Sequence, residues 1–118
     1  MHLPNYLAFT DSAYEWFAQR FPSKEDYQKF SAKYQDSTNF CSLLGEHDIT
    51  YAVILAEVAP LTTGVVSNKA VENFCRGKEE LIPFCTLNPN VDSEIGASLE
   101  ALCSKCGFKG VKLYPTYN

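Results

Sequence analysis

The side chains best suited to chemistry follow apolar runs that we predict as strands. Glu57 comes directly after the first run, Asn88 after the second, and Lys112 and Tyr114 close the third. A carboxylate, an amide, an ammonium and a phenol can together bind a polar substrate, and parallel α/β sheets bind ligands beyond the carboxyl ends of their strands. His2 joins these candidates if a strand precedes it.

Each candidate also has an ordinary structural explanation. Glu57 can be a solvated loop charge or the partner of a helix cap, and Asn88 beside Pro89 is typical of a turn. Lys112 can neutralise a nearby carboxylate, and a histidine at position 2 can belong to a frayed terminus. The residues alone leave these alternatives open.

The apolar runs recur at a nearly constant interval. They begin near Thr50, Leu81 and Lys109, 31 and then 28 residues apart, with a helical pattern in each interval. This is the spacing of consecutive βα units in a parallel sheet. An eight-unit barrel uses about 250 residues, roughly 31 per unit. We therefore predict an α/β fold of parallel βα repeats, a partial (β/α)₈ TIM barrel with about the first four units and with most of its first strand missing.

The strands are predicted at residues 50–56, 81–87 and 109–114. The continuous apolar character of the first run indicates a strand covered on both faces. Pro83 is unusual for a central strand because it has no N–H for the ladder. The residues between Glu57 and Ser67 are expected to form a loop. Predicted helix N-caps are Asp11 or Ser12, Ser23, Ser67 and Asp92, and Gly107 is expected to end the last helix.

Composition and charge favour one cytoplasmic domain over residues 1–118, without linker or low-complexity segment. The chain is 46% hydrophobic and carries a net charge of −4, so it can bury a core and lacks the basic stripe of nucleic-acid binders. No run of 18 apolar residues and no basic leader with an apolar segment are present, which argues against membrane insertion and export. The five cysteines are expected to be reduced thiols.

Cys103 and Cys106 have the spacing of a redox motif. Such motifs sit at a helix N-terminus, where the helix dipole lowers the thiol pKa, whereas this pair closes a helix just before Gly107. We therefore predict core packing for both, on an inward face shared with Ile95, Leu99 and Leu102.

Four segments resemble one family of enzymes. They are Gly45–Leu55, Val66–Val71, Leu81–Pro89 and Gly107–Pro115, and the last, GFKGVKLYP, is the most specific. Over roughly residues 37 to 118 the chain resembles the amidohydrolase-related metal-dependent hydrolases, a TIM-barrel group that includes aminocarboxymuconate-semialdehyde decarboxylase-like enzymes. The resemblance implies the N-terminal half of such a barrel.

The resemblance also implies a metal site and a reaction. Members open with a D-x-H-x-H strand whose histidines bind a divalent metal, and the match puts His2 at the second histidine. A histidine after the fifth strand and an aspartate after the eighth complete the family's site. The implied cofactor is Zn²⁺ or Mn²⁺, and the implied reaction is hydrolysis or non-oxidative decarboxylation of a small carboxylated substrate. Lys112 and Tyr114 are the implied substrate contacts, Tyr114 standing where many relatives carry histidine.

Three further expectations complete the sequence reading. This truncated chain alone should be inactive, because one histidine cannot hold a catalytic zinc. Half a barrel leaves sheet edges exposed, so self-association is expected. The alternative function is a small, non-catalytic α/β binding domain of flavodoxin-like type, although no Gly-rich phosphate loop follows any predicted strand.

Overall fold

A parallel sheet of three strands lies at the centre of the computed structural model, which describes residues 9–113. The strands are β1 (Ala52–Leu55), β4 (Leu81–Thr86) and β5 (Gly110–Lys112), in the order β1-β4-β5. Parallel strands that follow one another along the chain are therefore neighbours in the sheet, as is usual for successive βα units. The predicted α/β class with parallel βα repeats is confirmed. Among the described residues the sheet is open and does not close into a barrel.

Five helices and one hairpin complete the described chain. Three helices precede the sheet, α1 (Asp11–Ala18), α2 (Lys24–Tyr34) and α3 (Ser37–Glu46). The hairpin β2 (Glu57–Ala59) and β3 (Gly64–Val66) follows β1, and the helices α4 (Asn68–Cys75) and α5 (Ile95–Cys106) connect the parallel strands. Within residues 9–113, no helix is long and apolar enough to cross a membrane.

The described helices cover one face of the sheet. Ala52, Ile54, Leu81 and Cys85 point to this face and belong to the core cluster, which also takes in side chains of α3 and α4. Successive side chains of a strand alternate between faces. Val53, Leu55, Ile82 and Phe84 therefore point the other way, and all four are half-buried. The prediction that the first strand is covered on both faces therefore stays a prediction.

Pro83 fits the central strand because of the side it faces. Its carbonyl accepts the N–H of Lys109 at 2.9 Å, so its missing N–H lies on the β5 side. Pairing between β4 and β5 begins only at the next residue, where Phe84 lies beside Gly110. A Cβ atom at Gly110 would overlap the Phe84 ring, so the absence of a side chain there makes room for that ring.

The segment between Glu57 and Ser67 is the clearest correction to the sequence-based prediction. It forms an antiparallel hairpin, with Val58 paired to Val65, where we expected a loop. Strands of three residues are too short to produce a recognisable alternation. Pro60 and Gly64, which mark a turn, dominate the local pattern instead.

The helix caps are partly as predicted. Ser23 and Ser67 accept the N–H groups of Asp26 and Ala70, and Gly107 ends α5 with a φ of 74°. The cap of α1 is Thr10, not Asp11 or Ser12. No side chain caps α5, because the Asp92 carboxylate accepts the N–H of Asn88 instead.

Candidate functional site

Glu57 and Lys112, two of the predicted candidates, lie together at the carboxyl ends of the strands. The Lys112 ammonium donates to Oε2 of Glu57, although the residues are 55 positions apart. The Lys112 side chain is 13% exposed, and the Glu57 side chain is 4% exposed. His2, the predicted metal ligand, and Tyr114, the other predicted substrate contact, lie outside the described residues.

The backbone explains how these two side chains meet. Glu57 follows β1, and Lys112 ends β5, where it pairs with Thr86 at the end of the intervening strand β4. By strand alternation, Glu57 continues the series of Val53 and Leu55. The ion pair therefore spans the end of β4 on the face that the described helices leave uncovered.

The hairpin supplies a second donor to the buried carboxylate. The Thr63 hydroxyl donates to Oε1 of Glu57. Two bonds then tie this part of the hairpin to the start of α1: the Thr10 hydroxyl donates to the Thr62 carbonyl, and the Thr10 N–H donates to the Thr63 carbonyl at 3.3 Å. Sequence reasoning missed Thr63, because a threonine in a short turn gives no signal of a partner six residues away.

Asn88 lies in a turn, which was the structural alternative to a ligand contact. Its side-chain oxygen accepts the N–H of Asn90 at 2.9 Å, and its own N–H donates to the Asp92 carboxylate at 2.7 Å. Both bonds fix the turn after β4.

Asn68 is a second residue that sequence reasoning missed. Its side-chain amide accepts the N–H of Thr86 at 2.8 Å and donates to the carbonyl of the same residue at 2.9 Å. The first turn of α4 is thereby fixed to the end of β4. A polar residue directly after the Ser67 cap was the only sequence signal, and it is not specific.

The described residues do not by themselves fit a metal centre. No group of three or more His, Cys, Asp or Glu side chains gathers anywhere in residues 9–113. Glu57 faces an ammonium, and a positive charge at that position opposes cation binding. A metal at this edge of the sheet would need ligands from outside the described segment.

The cysteine pair occupies the end of α5, as predicted, but only one member packs inward. Cys106 lies against the core, whereas Cys103 is exposed, so core packing is wrong for Cys103. Ile95 is also exposed. A large shift of a thiol pKa is found at a different cysteine, Cys75. Burial raises the pKa of Cys75 to about 12, and the nearby Cys41 thiol adds to the rise.

Comparison with known proteins found no relative of this chain. No family model, curated protein or solved structure matches the chain.

Proposed function

We propose that this chain forms the first part of an amidohydrolase-related, metal-dependent barrel that acts on a small carboxylated substrate by hydrolysis or non-oxidative decarboxylation. One observation carries the proposal: a buried carboxylate–ammonium pair lies at the carboxyl ends of parallel strands, on the face opposite the described helices. In a (β/α)₈ barrel the helices surround the sheet, and catalytic side chains project from the carboxyl ends of the strands.

The strand order supports this proposal over a flavodoxin-like binding domain. Doubly wound sheets reverse their strand order and carry helices on both faces, and their ligands bind at the reversal. The three described parallel strands follow chain order without a reversal. Within residues 9–113, the core cluster lies on one face of this sheet.

The proposal gives each candidate residue its own role. Lys112 would bind the substrate carboxylate, and Glu57 would orient the ammonium through the bond already present. Tyr114 remains a proposed substrate contact. The proposal assigns a Zn²⁺ or Mn²⁺ ion to His2 together with ligands beyond residues 9–113, and it includes no reaction step at that ion.

Metal content of a longer polypeptide tests the proposal. This chain would be joined to the strands that complete the barrel, and wild type, His2→Ala and His47→Ala would be compared by mass spectrometry after purification in Zn²⁺. His47 is the matched control, because it is exposed and ends α3 just before β1, away from the carboxyl ends of the strands.

Stoichiometric zinc is expected in wild type and His47→Ala and should be lost in His2→Ala. Turnover of small carboxylated amides or unsaturated acids should follow the metal content. Equal metal in all three proteins would remove His2 from the site. Turnover that survives complete chelation of the metal would contradict the whole assignment.

A further inference from the structure

A series of hydrogen bonds connects the start of α1 with the last strand of the sheet. Thr10 bonds the main chain of Thr62 and Thr63 in the turn between β2 and β3. The Thr63 side chain bonds Glu57, which in turn bonds Lys112. Three elements that are far apart in the sequence, α1, the hairpin and β5, therefore meet at one ion pair.

The orientation of the Glu57 carboxylate depends on its donors. The terminal torsion of a glutamate side chain is broad and roughly two-fold, so the side chain itself does not select which oxygen faces an ammonium. Thr63 makes that selection, because its hydroxyl donates to Oε1 while the Lys112 ammonium donates to Oε2. Glu57 is buried, so bulk water has little access to replace either donor.

Thr63 is held firmly enough to support the carboxylate. Threonine is branched at Cβ, which restricts its first side-chain torsion. The Thr63 carbonyl accepts the N–H of Thr10 at 3.3 Å, and the Thr62 N–H donates to the Ala59 carbonyl at 3.1 Å across the turn. The Thr63 hydroxyl therefore projects from a turn that is bonded both within the hairpin and to α1.

Thr10 joins this turn to the first turn of α1. Its hydroxyl donates to the Thr62 carbonyl and accepts the N–H of Ala13 at 3.3 Å as the N-cap of α1. Within residues 9–113, Thr10 forms no hydrogen bond with Glu57 or Lys112. An effect of Thr10 on the ion pair must therefore pass through the hairpin.

We propose that Thr63 is a positioning residue that directs the Lys112 ammonium through Glu57, and that Thr10 holds Thr63 in place for this role. A lysine ammonium sits on a flexible four-carbon stem, so its partner rather than its own torsions fixes its position. The consequence for substrate rests on the proposed function: Thr63 determines where a substrate carboxylate meets Lys112. The hairpin then belongs to the site.

A scalar coupling across the bond between Lys112 and Glu57 tests the proposal in the 118-residue chain. In protein labelled with ¹⁵N and ¹³C, at mildly acidic pH and low temperature, the coupling between the Lys112 Nζ and the Glu57 carboxylate carbon reports this bond. It should be present in wild type, lost in Thr63→Val and retained in Thr63→Ser, which keeps the hydroxyl. Thr62→Val is the matched control in the same turn and should retain the coupling, because the Thr62 hydroxyl donates to the Ala59 carbonyl instead.

Variants of Thr10 test the remote part of the proposal. Thr10→Val removes the hydroxyl that bonds the hairpin and should weaken the coupling, whereas Thr10→Ser should restore it. Thr10→Val also removes a helix cap, so Ser23→Ala is its control. Ser23 caps α2 and bonds Asp26 rather than the hairpin, and its loss should leave the coupling unchanged.

A coupling that is absent in wild type, or that survives in Thr63→Val, would overturn the proposal, as would its equal loss in Thr62→Val. An unchanged coupling in Thr10→Val would overturn the role given to Thr10. The amide spectrum shows whether each variant is folded, and the wild-type and Thr10 measurements decide the matter if Thr63→Val does not fold. Because neither metal nor turnover enters the measurement, failure of this proposal is distinguishable from failure of the proposed hydrolase function.

Discussion

Removal of the Lys112 ammonium tests how strongly the buried ion pair holds the sheet together. In Lys112→Met, Glu57 keeps the Thr63 hydroxyl donor and loses the cation. Exposed ion pairs contribute about 0–1 kcal/mol, whereas breaking a buried pair costs about 3–5 kcal/mol. The Glu57 side chain is 4% exposed and the Lys112 side chain 13%, so this pair is closer to the buried class than to the exposed one. Since Glu57 keeps the Thr63 donor, we expect a loss near the lower limit, about 3 kcal/mol.

Urea unfolding at pH 7, followed by far-ultraviolet circular dichroism, measures the loss. Lys109→Met is the matched control, because Lys109 is an exposed lysine three positions earlier in the same segment. It should change the free energy of unfolding by no more than about 0.5 kcal/mol. The double variant Glu57→Gln/Lys112→Met should recover much of the loss, since it also removes the buried carboxylate charge that faces the ammonium.

Two results would refute this reasoning. A loss below about 1 kcal/mol in Lys112→Met would mean that the pair behaves as an exposed one. A double variant as unstable as Lys112→Met would mean that the Glu57 charge is not the source of the instability.

Two further predictions concern core packing and thiol ionisation. Leu44 is 3% exposed, so Leu44→Ala should lower the free energy of unfolding by about 2–5 kcal/mol. Leu102→Ala should lower it by only about 1–2 kcal/mol, because no residue of α5 is fully buried. Urea unfolding that gives the reverse order would contradict this packing. Burial raises the pKa of Cys75 from 9.0 to about 12, so between these pH values the unfolded chain loses a proton that the folded chain keeps. Stability should therefore fall by up to about 1.4 kcal/mol per pH unit above pH 9, and Cys75→Ala should show a shallower slope in unfolding at pH 7.5, 9 and 10; equal slopes in both proteins would contradict the raised pKa.

The parallel strands could be predicted because their signal is local and repeated. The apolar runs near Thr50, Leu81 and Lys109 correspond to β1, β4 and β5, with ends shifted by at most two residues. The caps at Ser23 and Ser67 were likewise predictable, since each depends on a hydroxyl and an N–H three residues later.

Features that depend on distant residues escaped prediction. The partner of Lys112 is 55 positions away, and nothing in the residues around Lys112 identifies Glu57 among the chain's acidic residues. Whether helices cover one face of a sheet or both also depends on distant residues. An apolar run such as β1 has the same sequence pattern in either case. Asp92 was misassigned as a cap because the same carboxylate satisfies a turn N–H equally well.

The Glu57–Lys112 pair also limits how Lys112 can serve the proposed reaction. Because the lysine already donates to a carboxylate, the pair is electrically neutral, and a substrate carboxylate that approaches the ammonium also approaches Glu57. Two carboxylates at one buried site repel each other unless further positive charge is present. A divalent cation at the same edge of the sheet would supply that charge. Lys112 and the proposed metal are therefore coupled, and substrate carboxylates should bind weakly to any form of the protein in which the metal ligands are incomplete.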